Sequence, residues 1–138
     1  MISRILNAKV SDRQLNVALL FLRITVGVLM AHHGYSKLIH FDEYSAKFME
    51  FLGLSASVSL GLVVFSEFFC SLLLIVGFFT RLALIPLIVT MIVAAFKAHN
   101  ADIFGEGEMA FLYLAVYVSL LLKGAGKYSA DKFLFNKS

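Results

Sequence analysis

The sequence predicts an all-α integral membrane protein, a four-helix bundle with a short interfacial amphipathic helix between its first and second spans. Three observations predict it. The 138 residues are 60% hydrophobic and 15% charged, with a mean hydropathy of +0.87, against roughly 45–50% apolar and about 25% charged in soluble domains. A soluble domain of this size buries only about two-thirds of what its chain exposes, so the surplus apolar surface calls for a bilayer. Four apolar stretches recur, at about 15–35, 57–79, 82–98 and 108–123, each near the roughly 20 residues that cross hydrocarbon. Finally, the basic residues segregate by side. Arg4, Lys9, Arg13, Arg81, Lys123, Lys127, Lys132 and Lys137 gather on one side, and only Lys37, Lys47 and Lys97 on the other. Eight against three places both termini in the cytoplasm, as expected for a multi-pass membrane protein.

Each element has its own signal. Ser11 and Gln14 have the spacing of a capping box and open the first span. In FDEYSAKFMEFLG, Tyr44, Phe48, Phe51 and Leu52 share one helical face, which predicts the interfacial helix. Gly77 to Arg81 leaves room only for a tight turn, so the second and third spans are antiparallel neighbours. Pro86 is read as lying early in the third span, where a missing N–H matters least. Gly124 and Gly126 end the fourth. No repeat or second domain interrupts the chain, so residues 1–138 read as one transmembrane domain.

Composition also narrows function. A net charge of +3 without basic runs interleaved with aromatics gives no nucleic-acid surface. The one cysteine, Cys70, allows neither an intrachain disulfide nor a CxxC pair. The opening MISRILNAKVSDRQ is too polar for the apolar core of a signal peptide, so the first span is expected to stay as an anchor.

Ionisable residues inside the spans are the candidate site, because charge in hydrocarbon is costly unless paired, protonated or facing water. Arg23 in the first span and Glu67 in the second fall at depths that differ by roughly 6 Å, which predicts an Arg23–Glu67 ion pair. Gly27 and Ala31, on the face of Arg23, have the small-xxx-small spacing that admits a close neighbour. Toward the outer side, His33, His99 and Glu108 are expected to converge at the mouth of the bundle, with Lys37 and Lys97 snorkelling to the interface. These three come from separate segments without ligand spacing, so no metal site is expected. Cys70 reads as packing rather than as a reactive thiol.

The ordered set LRITVGVLMAHHGYSKL, SEFFCSLLLIVGFFTRLAL, AAFKAHNADIF, Glu108 and LLKGAGKYSADKF resembles the DoxX family over about residues 16–135. That resemblance implies a small four-helix inner-membrane protein. It carries the family's polar positions onto Arg23, His33, Gly34, Lys37, Glu67, Thr80, Arg81, His99, Glu108, Ser129 and Asp131. Some relatives are associated with membrane redox complexes, including a DoxD-like subunit of thiosulfate:quinone oxidoreductase. Two readings of function follow. In the first, a non-enzymatic bundle binds a small lipophile or a partner protein through its polar interior. In the second, the chain is a membrane subunit of a quinone-linked oxidoreductase, drawing electrons from a partner redox subunit. No cofactor is evident, a quinone being the lipophile of the second reading, and a homo-oligomer could form a transport path.

Overall fold

A computed structural model describes residues 2–136. Lys137, counted above on the basic side, lies outside them, as does the side chain of Arg4. Seven helices follow in order: α1 (Ile2–Ile5), α2 (Asp12–Ile39), α3 (Phe41–Ser45), α4 (Ala56–Val76), α5 (Thr80–Ala98), α6 (Glu108–Lys123) and α7 (Ala130–Phe135). Helices α2, α4 and α5 are long and apolar enough to cross a membrane. Helix α6 has 16 residues and packs along α5 in the same bundle.

The outer surface is apolar, with Phe21, Leu29, Phe65, Ile85, Leu112 and Leu122 all exposed, while Arg23, Ser59, Ser66, Glu67, Ser71 and Thr80 are buried. Polar groups inside and apolar groups outside suit hydrocarbon as the surrounding solvent. Two glycines set the central contact. A Cβ on Gly27 would lie 2.5 Å from Ile75 Cγ1, and one on Gly34 would lie 2.5 Å from the Phe68 backbone nitrogen. Helices α2 and α4 therefore run antiparallel at close approach, as small residues permit where burial of apolar surface supplies no drive.

Local chemistry explains the ends. Ser11 and Gln14 form the capping box of α2, which extends past both expected limits. Gly77, at φ +75°, closes α4: its N–H bonds Leu74 O and the Phe78 N–H bonds Leu73 O, a Schellman arrangement. Phe79 follows at φ +47°, a strained value for a residue with a side chain. Its N–H and that of Thr80 donate to the two Asp131 carboxylate oxygens at 2.7 and 2.9 Å. A residue of the chain's end thus caps the start of α5.

Two expectations change, and one feature is new. The interfacial helix stops at Ser45, and the chain after it is irregular, with Leu52 and Gly53 at positive φ and an isolated bridge joining Phe51 to Leu54, so Phe48, Phe51 and Leu52 do not continue its face. Pro86 sits well inside α5 rather than at its start, since the helix begins at Thr80. Helices α4 and α5 are also not uniformly α-helical: Phe65–Cys70 and Ala94–Ala98 are π-helical turns. Such wide turns concentrate at functional sites, and the first of them contains Glu67.

Candidate functional site

Glu67 is buried and paired, but its partner is Lys37. The Lys37 ammonium donates to Glu67 Oε2, with the two side chains 26% and 6% exposed. Gly34 makes this possible. By letting the α4 backbone meet α2 at Phe68, it sets Lys37, one turn further on, level with Glu67.

The expected Arg23–Glu67 pair does not form. Arg23 lies at the other end of the α2–α4 contact, where its guanidinium donates to Ile75 O at 3.4–3.5 Å, Ala125 O at 2.5 Å and Tyr128 O at 2.7 Å. The cause is stagger. Matching depths from the helix ends assumes ends at one level, yet α2 begins about three turns before the point where it meets Ile75. Those extra turns run beside the segment after α6, where Asn16 Oδ1 accepts from Lys127 N at 2.6 Å. Arg23 is therefore a clasp on the chain's C-terminal segment.

The outer cluster does not assemble either. His33 and Glu108 are exposed, and His99 Nδ1 faces Glu106 Oε2 at 3.8 Å. On α2 the buried stripe runs through Arg23, Val26, Gly27, Met30, Ala31 and Gly34; His33 lies about 80° from Arg23 around the axis, just beyond it. Among the described residues, no group of three or more His, Cys, Asp or Glu could hold a metal.

What the fold does build is a cavity of about 500 Å³ between α4 and α5. Its walls are mostly apolar, with Val63, Phe65, Ile85, Val89 and Val93 among them, and Phe48, Met49 and Phe51 of the connection after α3 lie along one side. Lys37, Glu67, Ser59, Ser66, Thr90 and His99 supply the polar groups. That connection is tied down: Ser59 Oγ accepts from Phe51 N at 3.1 Å, and Lys97 stands 5.1 Å over the Phe51 ring. Across the cavity Thr90 Oγ1 donates to Ser66 Oγ at 2.8 Å, bridging α5 to the wide turn.

Of the six residues expected at the site, then, Lys37, Glu67 and His99 share one cavity, whereas Arg23, His33 and Glu108 do not line it. Reading the sequence missed Ser66 and Thr90, whose hydroxyls resemble any others in an apolar helix. It also missed Tyr113 and Tyr117 on α6. Both are buried, and the Tyr117 hydroxyl has no hydrogen-bond partner among the described residues. Their i, i+4 spacing was the one available signal.

Membrane-length helices around a largely apolar pocket, with a charged pair in its wall, define a multi-pass membrane protein. The chain belongs to the DoxX family, whose sequence profile matches residues 18–100. That match takes in Arg23, Lys37, Glu67, His99 and both π turns. The chain is also 32% identical over 126 residues to an uncharacterized protein of Haemophilus influenzae, an alignment covering 86% of this chain and 92% of that protein. No solved structure matches it.

Proposed function

We propose that the protein binds a small lipophile drawn from the bilayer, with its tail in the α4–α5 cavity and its polar head on the Lys37–Glu67 pair. The observation that carries this reading is the pairing of a cavity of about 500 Å³, within the range of small-molecule sites, with an ion pair in a mostly apolar wall. The ligand class is amphiphilic: a polar group able to accept from an ammonium or donate to a carboxylate, on a hydrocarbon body. A quinone belongs to that class. In a quinone-linked complex, two electrons from a partner subunit and two protons would convert the quinone to the quinol, with Lys37 donating a hydrogen bond to a ring carbonyl and Glu67 passing one of the protons.

The same reading takes residues 1–138 as a single domain and α6 as a fourth crossing. Its 16 residues span roughly 24 Å, short of the roughly 30 Å core and matched by local thinning. It also sets both termini in the cytoplasm of a bacterial inner membrane, supported by eight basic residues on that side against three on the other.

The test uses the full chain in neutral detergent with two probes, a decyl-substituted benzoquinone and decanol. Binding is read as a rise in melting temperature and by photo-crosslinking of a diazirine analogue. Val63→Phe, which fills the cavity and leaves the ion pair in place, should abolish binding of both. Glu67→Gln should weaken the quinone more than the alcohol. Equal binding by wild type and Val63→Phe would remove the cavity from consideration.

A further inference from the structure

The end of the bundle remote from the cavity carries a second concave site. A surface hollow of about 990 Å³ lies between the start of α5, the end of α6 and the segment that follows. Four cations line it: Arg81, Lys123, Lys127 and Lys132. None of them takes part in an ion pair among the described residues. The one carboxylate in the lining, Asp131, is committed to the N–H groups of Phe79 and Thr80.

Two further details favour a ligand there. Gly124 keeps the space in front of Arg81 open, since even a Cβ there would stand 3.5 Å from Arg81 Nη2. Beside the charges the wall turns apolar: Leu82 is 64% exposed and Phe135 62%.

We infer that this hollow binds the phosphate of an anionic phospholipid, the headgroup set among Arg81, Lys123, Lys127 and Lys132 and the acyl chains lying over Leu82 and Phe135. Arg81 can form charge-assisted hydrogen bonds to phosphate oxygens, and the three lysines add favourable charge around them. The position at the ends of α5 and α6 sets it at headgroup level, where basic pockets between membrane helices gather anionic lipid. Exposed apolar side chains beside the charges favour a lipid over free phosphate. The inference is independent of what the α4–α5 cavity holds.

The experiment uses the full chain, delipidated in neutral detergent, with phosphatidylglycerol, phosphatidylcholine and inorganic phosphate as separate probes. Native mass spectrometry reads retention and thermal melting reads stabilisation. Phosphatidylglycerol should be retained and raise the melting temperature, and phosphatidylcholine should do neither. Arg81→Gln, Lys127→Gln and Lys132→Gln should each weaken retention about fivefold, with Lys132→Arg restoring it. Lys47→Gln, a cation outside the hollow, should leave it unchanged. Equal retention of the two lipids by wild type would overturn the inference, and so would unchanged retention in the three glutamine variants. Displacement of phosphatidylglycerol by inorganic phosphate at equal concentration would instead identify a free-ion site, and the lipid assignment would fall. The wild-type comparisons hold even where a variant fails to fold.

Discussion

Gly34→Ala should loosen the contact that brings Lys37 to Glu67. The new Cβ would stand 2.5 Å from Phe68 N, 2.7 Å from Glu67 C and 2.9 Å from Phe68 Cα. All three are backbone atoms of α4, so no flexible side chain can swing aside. Ordinary contact then requires α2 and α4 to part by about 1 Å, which forfeits a quarter to a half of the dispersion energy along the seam. Overpacking of this kind costs about 1–3 kcal/mol, and contact with backbone puts Gly34 at the upper end. Higher helix propensity returns up to about 1 kcal/mol, leaving a net loss of about 2. At this chain length that is roughly 8 °C in melting temperature. Cys70 makes the assay direct, because it is the one cysteine and only 2% exposed, so labelling by a thiol-reactive fluorophore reports unfolding. Gly61→Ala, in the facing helix α4, is the control, since its Cβ meets nothing within 4 Å and propensity alone should raise the melting temperature slightly. Should Gly34→Ala melt at or above the wild-type temperature, the close α2–α4 approach is refuted.

Other substitutions separate the remaining contacts. Glu67→Gln leaves the Lys37 ammonium unpaired and should cost about 3 kcal/mol, the lower end for a broken buried pair because Lys37 is partly exposed. Lys37→Met added to it should recover most of that loss, and a coupling energy near zero in the double-mutant cycle would deny the pair. Arg23→Met removes the clasp on Ala125 and Tyr128 and should cost several kcal/mol, given about 1.5–3 per hydrogen bond to a charged group. Tryptic cleavage after Lys127 should then quicken, and Arg23→Lys should not rescue it because one ammonium cannot replace a fork. Cleavage at the wild-type rate would count against the clasp. Asp131→Ala strips both acceptors from the start of α5 and should lower stability by about 1–2 kcal/mol, with Asp131→Asn losing about half as much. Equal melting curves for the two would contradict the capping geometry.

How much of this was legible in the sequence depends on which physical term carried it. The capping box of α2 and the limits of α6, Glu108–Lys123, were readable because caps and hydropathy are local. Pairing was not. Lipid and protein interior are almost equally apolar, so hydropathy does not report which face of a span turns inward or how far two spans are offset. The offset here is set by backbone contact at Gly27 and Gly34, and it moved Glu67 from Arg23 to Lys37. The wide turn at Phe65–Cys70 was hidden for a similar reason, since no residue type announces an i→i+5 bond. The Asp131 cap joins residues some fifty positions apart, beyond the reach of any pattern read along one helix.

The two interior cations of α2, one sealed and one partly open, show why the Lys37–Glu67 pair, rather than Arg23, is the better candidate for chemistry. Arg23 is 2% exposed, and its guanidinium bonds reach three backbone carbonyls from two separate parts of the chain. A charge held that way fixes a fold and has little left for a ligand. Lys37 differs on each count. Its ammonium has three donors, and among the described residues one of them goes to Glu67. Its side chain is 26% exposed and lines the cavity, where two adjacent residues of the wide turn face different helices: Ser66 bonds Thr90 on α5, and Glu67 meets Lys37 on α2. Unused donors on a partly open ammonium, set against apolar walls, are what an amphiphile's polar head requires. A sealed structural pair would have been closed off by packing, as Arg23 is.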